Sequence, residues 1–230
     1  MFKLETYVLT AFNNELVEYI DDNATLIAPF AFFDQAMLIT VNCPSCRYVN
    51  RAAFYACSNL LHVCLDNTEI VGEYAFGENS SLTSISLPKA KKVGQFAFAD
   101  CASLAHIDLP SCEEVCGEGA FAAFVGEMMS LPACKTIGIS AFMNSESIRC
   151  INVPHIESFG KIAASCPNLV SAVMSSLTAV PKVSNENYIM TPAFENVHND
   201  FKIYVNSSIY NEMTADSYWN KFFADKIVAI

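Results

Sequence analysis

The chain has 230 residues, 53% of them apolar, and a formal net charge of −11 with only 13 basic residues. That apolar share excludes an intrinsically disordered chain. The shortage of lysine and arginine argues against nucleic acid and anionic membrane surfaces as partners, because both require a basic footprint.

No run approaches the roughly 20 apolar residues of a membrane span, so membrane insertion is not expected. Residues 1–30 carry Glu5, Glu15, Glu18, Asp21 and Asp22 and lack a basic start followed by an apolar core. They do not read as a secretory leader. Within them Phe12, Leu16, Val17, Tyr19 and Ile20 lie on a roughly helical stripe. This predicts that residues 1–23 form an N-terminal cap over an apolar end.

From residue 24 the sequence repeats. Ala-Phe recurs at Phe32, Phe54, Phe76, Phe98, Phe121 and Phe142, spaced 22, 22, 22, 23 and 21 residues apart, and again at Phe194. Such a period marks a solenoid, in which each coil buries its apolar face against its neighbours. Behind each phenylalanine comes a short alternating run: Val41-Asn42-Cys43, Ile85-Ser86-Leu87, Ile107-Asp108-Leu109, Ile151-Asn152-Val153. Alternation with period two reads as a strand with one buried face, and the proline that often follows ends it. Equal registers one coil apart predict a parallel sheet on one wall. A second apolar column, Val49, Val71, Val93, Val115, Ile137 and Phe159, is followed four times by glycine, at Gly72, Gly94, Gly138 and Gly160. The glycines suggest a tight bend with positive φ. The arc from there to Ala-Phe has room only for a helical turn or two, or for irregular backbone.

After Phe159 the pattern weakens. Phase places the next anchor at Ala163, followed by Cys166, Leu169, Ala172 and Met174; Ala193-Phe194 then arrives about nine residues late. The excess is assigned to an insertion near 182–190 that carries Tyr188. Ile209–Phe223 is a short amphipathic helix candidate and Ile227–Ile230 a last strand, so 206–230 reads as a C-terminal cap. The solenoid between the caps, 24–205, makes about eight coils.

The pattern Ala-Phe-x-x-Cys-x-x-Leu-x-x-Ile-x-Leu-Pro, clearest in AFADCASLAHIDLP at Ala97–Pro110, resembles the bacterial leucine-rich repeat of the BspA type. The likeness extends over about residues 24–230. Tyr204-Val205, Ser207–Tyr210, Trp219 and Lys226-Ile227-Val228 are similar to the family's C-terminal closure. The resemblance implies an α/β, right-handed, horseshoe-like solenoid with its parallel sheet on the concave face. Short helical turns or irregular backbone would lie on the convex side. It also implies a surface or secreted protein engaged in adhesion or protein contacts. The motif holds scaffold residues only, so it transfers no catalytic or binding residue. The chain departs from the pattern at Ala163 and at the insertion.

Ten cysteines raise redox and metal chemistry. Most share repeat positions: Cys57, Cys101 and Cys166 lie three after the anchor, and Cys46, Cys112 and Cys134 two after the proline position. Cys43-Pro-Ser-Cys46 lacks a second such pair to complete four ligands. These are read as structural thiols, a usage that suits a reducing compartment. Cys112 and Cys134, stacked one coil apart, would be the pair most open to bridging. No Ser–His–acid set, phosphate loop or carboxylate pair appears, and Gly117-Glu118-Gly119 lacks the context of a nucleotide loop. No enzyme activity, metal or cofactor is therefore expected. The cellular compartment is left open.

Candidate binding residues lie on the outward sides of the strands. One column reads Asn42, Cys64, Ser86, Asp108, Ser130, Asn152, Met174, Tyr204. The other reads Thr40, His62, Ser84, His106, Met128, Cys150. From them Asn42, His62, Ser84, Ser86, His106, Asp108, Asn152 and Tyr204 form a polar surface, with Tyr188 beside it. The function read from this is a non-enzymatic protein-interaction or adhesion module whose partner is another protein. The alternative is a structural domain of a larger surface or virion-like assembly. A glycan ligand has no residue pattern behind it. One further column alternates in sign, Arg47, Glu69, Lys91, Glu113, Lys135, Glu157, and predicts a charge ladder along one edge.

Overall fold

The structure, a computed structural model, describes residues 7–8, 16–183 and 192–230. The chain winds as a parallel β-solenoid, each coil lying one strand spacing from the next. The Ile-x-Leu runs are strands in the expected register. Thr40–Asn42 pairs with His62–Cys64, and His106–Asp108 with Ser84–Ser86. Among the described residues this wall is in pieces of three, two and five strands. The last piece runs from Met128–Ser130 through Cys150–Asn152, Ser171–Met174 and Lys202–Val205 to Ile227–Ala229.

The continuous sheet lies on the second wall. Among the described residues nine parallel strands run there, from Tyr7–Val8 and Leu26–Ile27 through Ile70–Val71 and Lys92–Val93 to Lys182–Val183. Their buried residues are the Val column. The glycines that follow do not have positive φ, contrary to the expected bend. They are small because neighbouring coils approach closely: a Cβ at Gly138 would sit 1.8 Å from the Gly117 carbonyl oxygen.

Positive φ falls instead two residues either side of the anchor phenylalanine. Phe30, Ala52, Tyr74, Phe96, Gly119 and Ser140 hold it on one side; Asp34, Ala56, Glu78, Asp100, Ala123 and Asn144 hold it on the other. This arc contains turns rather than helix. Its backbone is bonded coil to coil: the N–H groups of Phe30, Phe32 and Asp34 donate to the carbonyls of Arg51, Ala53 and Tyr55. The next coils repeat the scheme, so a non-helical arc leaves its buried backbone groups paired.

The core is a column of rings. Phe32, Phe54, Phe76, Phe98, Phe121 and Phe142 are buried and stack in sequence with centroids 5.0–5.8 Å apart and planes within 16°. Tyr19 meets the column at one end. Ala163 interrupts it, and Phe194 continues on the far side, pairing backbone to backbone with Ala163. Beside the rings runs a polar ladder at the third position after the anchor. Cys57, Asn79, Cys101 and Cys166 each donate to the carbonyl of a phenylalanine in the preceding coil, at 2.8–3.0 Å. Ser145 occupies the same position and bonds Phe121. Five coils thus place a small hydrogen-bond donor here, Cys, Asn or Ser, while Gln35 and Phe124 hold the same position elsewhere.

At the N-terminal side, Glu18–Ile20 is a strand paired with Thr40–Asn42, where the sequence reads as a helical stripe. Pairing with the first wall overrides the local pattern; the earlier residues of that stripe, 9–15, lie outside the described ones. At the other end the expected helix is two, Ser207–Ala215 and Ser217–Phe223. Asp216 starts the second by accepting from the N–H groups of Tyr218 and Trp219. Trp219 is buried, packs edge-on against Phe159 and donates to the Pro181 carbonyl. The insertion is shared out differently from the expectation. Lys182–Val183 is a strand paired with Ser158–Phe159. Nine residues separate Met174 from Val183 where six separate Leu87 from Val93, so three of the extra residues precede Lys182. No described helix is long and apolar enough to cross a membrane.

Candidate functional site

The proposed polar columns face outward from the first wall. His62, Ser84, Ser86, His106 and Asp108 are exposed; Asn42, Asn152 and Tyr204 are half-buried. Tyr188 lies outside the described residues. One member of the outward column is corrected. Asn152 pairs with Val173, which pairs with Tyr204, and Met174 is fully buried. The step from Asn152 to Val173 is one residue shorter than that from Ser130 to Asn152, and a one-residue slip moves a strand side chain to the other face.

These residues form a band rather than a convergent site. Ser86 donates to Asp108 at 2.9 Å, and Asn152 to Ser130 at 3.1 Å. The two breaks in the wall open shallow troughs of about 410 and 390 Å³. The first is lined by Asn42, His62, Cys64 and Ser84, the second by Ser86, His106, Asp108 and Met128. Their lining mixes hydroxyls, imidazoles and one carboxylate. No described group of three or more His, Cys, Asp or Glu is arranged to hold a metal ion.

Seven of the ten thiols are buried, and Cys64, Cys116 and Cys150 are half-buried. Burial raises Cys57 and Cys101 to about 12, and likewise Cys43. The Cys134 thiol donates to the Thr136 carbonyl at 3.2 Å; the sulfur of Cys112 beside it in the adjacent coil, with burial, holds Cys134 protonated and leaves Cys112 the easier of the two to ionise. The charge column stacks in register, with each backbone N–H bonded to the preceding coil. Two of its five gaps close as ion pairs, Arg47–Glu69 at 2.8 Å and Glu113–Lys135 at 3.8 Å. A parallel column adds Lys92–Glu114 at 2.6 Å.

The surface that the sequence reading overlooked is a corner of aromatic side chains. Phe30 is 48% exposed and Phe33 37%, and the rings continue through Tyr55, Tyr74 and Phe96. Phe33 stacks on Tyr55 at 5.4 Å and Tyr74 on Phe96 at 5.0 Å; Tyr55 and Tyr74 meet edge to face at 6.0 Å. Phe30, Tyr74 and Phe96 stand at positive φ, where a bulky residue costs about 1–3 kcal/mol. The same column carries Ala52, Gly119 and Ser140 in other coils, so the scaffold does not demand a ring there. The signal was present in the sequence as aromatics two before and one after the anchor. Tyr55 donates to Glu78, and that bond, with burial, raises its phenol to about 12. A larger recess, about 850 Å³, lies elsewhere, where residues 176–182 detour past Lys135, His155 and Glu157.

Comparison with known proteins agrees with this geometry. A family model described as BspA type Leucine rich repeat region matches in six copies, over residues 9–126, 47–170 and 91–217. No curated protein matches the sequence. Among solved structures, a leucine rich cell surface protein from Faecalibacterium prausnitzii is 18% identical with a TM-score of 0.51, covering 89% of this chain and 80% of its own. A leucine rich repeat protein of T. pallidum is 20% identical with a TM-score of 0.51, covering 72% of each chain. Identities this low carry the fold alone.

Proposed function

We propose a function from one premise: this chain belongs to the family of proteins built on BspA type leucine-rich repeats. On that scaffold the chain is a non-catalytic module that binds another protein. The observation that carries the reading is the aromatic corner. Five rings from four successive coils stand at the surface, three of them in backbone that ordinarily goes to glycine or asparagine. Aromatic side chains are the groups that most often dominate protein contacts. Adhesion is the form this binding takes if the chain is displayed at a cell surface.

The test is paired capture from the native organism's lysate and from host extracellular matrix. The immobilised parent is compared with Phe30→Ser/Phe33→Ser and with Ser86→Ala/Asp108→Ala on the first wall. A saturable protein partner held by the parent and the wall variant, and lost by the corner variant, supports the reading. Retention by the corner variant, or no saturable protein partner in either source, refutes it.

A further inference from the structure

We propose that the recess between Tyr55, Tyr74 and Phe96 is a receptor for a guanidinium group, the side chain of an arginine presented by a partner protein. The recess holds about 200 Å³, enough for one such head group and the methylenes next to it. Its walls are rings: Tyr55 stands at 79° to Tyr74, and Phe96 lies 5.0 Å beyond Tyr74. Its floor is small. The position that holds Phe33 and Tyr55 in earlier coils becomes Gly77 and Ala99, and the Tyr55 ring lies so close over Gly77 that a Cβ there would meet it at 3.1 Å. The aromatic run thus stops where a gap begins.

The rim supplies charge. Glu78 and Asp100, from adjacent coils, line the recess, and no basic residue does. Neither carboxylate belongs to an ion pair among the described residues. Arg51 is turned toward Glu73 at 3.6 Å and pairs with neither of them. The Tyr55 hydroxyl is already committed as donor to Glu78. A site made of π faces and carboxylate acceptors, with no spare donor from Tyr55, suits a ligand that is cationic and rich in N–H groups. Guanidinium meets both conditions: it lies flat on an aromatic face and offers a planar fork of donors to carboxylates. A sugar, which needs donors as well as acceptors, would find the Tyr74 hydroxyl as one side-chain donor beside two carboxylates, and so fits the lining less well.

The inference rests on the protein-binding reading, and its test separates the two. Aromatic side-chain NMR resonances of the full chain are followed during titration with argininamide, with its neutral isostere citrullinamide and with maltohexaose. Argininamide is expected to shift Tyr55, Tyr74 and Phe96 saturably, and citrullinamide and maltohexaose to leave them in place. Glu78→Gln/Asp100→Asn should weaken argininamide about tenfold or more, while Glu127→Gln/Glu146→Gln, with the same change in net charge, should weaken it less than twofold. Equal shifts from citrullinamide, shifts from maltohexaose alone, or equal losses in the two variants would overturn the site. A positive titration with a failed capture experiment keeps the cation site and removes the protein partner; the reverse result removes the site alone.

Discussion

Replacing Phe98 by alanine removes a ring from the middle of the column. Phe98 is 2% exposed and lies 5.4 Å from Phe76, tilted by 1°, and 5.8 Å from Phe121, tilted by 6°. Its neighbours are held by backbone bonds from coil to coil, Phe76 to Ala97 and Phe98 to Ala120, so the walls cannot collapse into the space. A phenylalanine buries about 150 Å² or more. At about 25 cal/mol per Å² that amounts to about 4 kcal/mol, inside the range of about 3–5 kcal/mol for such truncations. For a chain of this size each kcal/mol lowers the melting temperature by about 2–4 °C, so Phe98→Ala should lose about 8–16 °C. Lys89→Ala is the comparison. Lys89 is exposed and its one described partner is Asn67, also at the surface, so the change should cost less than about 0.5 kcal/mol. Both variants are melted beside the parent by circular dichroism in one buffer. Equal drops for the two would refute the ring column as the source of stability.

The donor ladder makes Asn79 replaceable by the residue its column uses elsewhere. Asn79→Ala leaves the Phe54 and Phe76 carbonyls without this donor and should cost about 1–3 kcal/mol in urea denaturation, whereas Asn79→Cys should recover most of it. Stability should also fall in alkali. Folding raises the Cys57 and Cys101 thiols from the usual 9 to about 12, so the native state keeps protons that the unfolded chain releases. Their contribution is whole below pH 9 and disappears as the pH rises toward 12; urea midpoints at pH 8 and pH 10.5 should show the decline, and Cys57→Ser/Cys101→Ser should flatten it. Glu113→Lys removes the pair with Lys135 and sets three positive charges in a row at positions 91, 113 and 135. A loss of roughly 0.2–1 kcal/mol at low ionic strength that disappears in 0.5 M salt is expected, because exposed pairs are weak and screened; an unchanged melting temperature at low salt would count against the ladder.

The anchor phenylalanines, the Ile-x-Leu strands and their mutual register were legible in the chain alone. Each is a local demand repeated every coil: a ring must meet its copy, and a strand must keep one face inward. Repetition turned weak single signals into a strong one. A helical segment and a last strand at the C-terminus were legible for a related reason, since a coil end must be covered by apolar side chains of regular spacing; the break at Asp216 that makes the helix two was not.

Other features depended on which atoms of one coil come to lie beside the next. Gly138 answers to a carbonyl of the preceding coil, not to its own φ. Val173 rather than Met174 faces out because one coil is a residue short. The positive φ at Tyr74 and Phe96 serves hydrogen bonds to Gln95 and Glu118, each in the following coil. The recess beside Tyr55 exists only because Gly77 and Ala99 stack under positions that carry rings in earlier coils. Periodicity along the chain states what every coil must contain. The differences between coils become a surface only when stacking brings residues some 22 apart within a few ångströms, and that is a property of the tertiary structure.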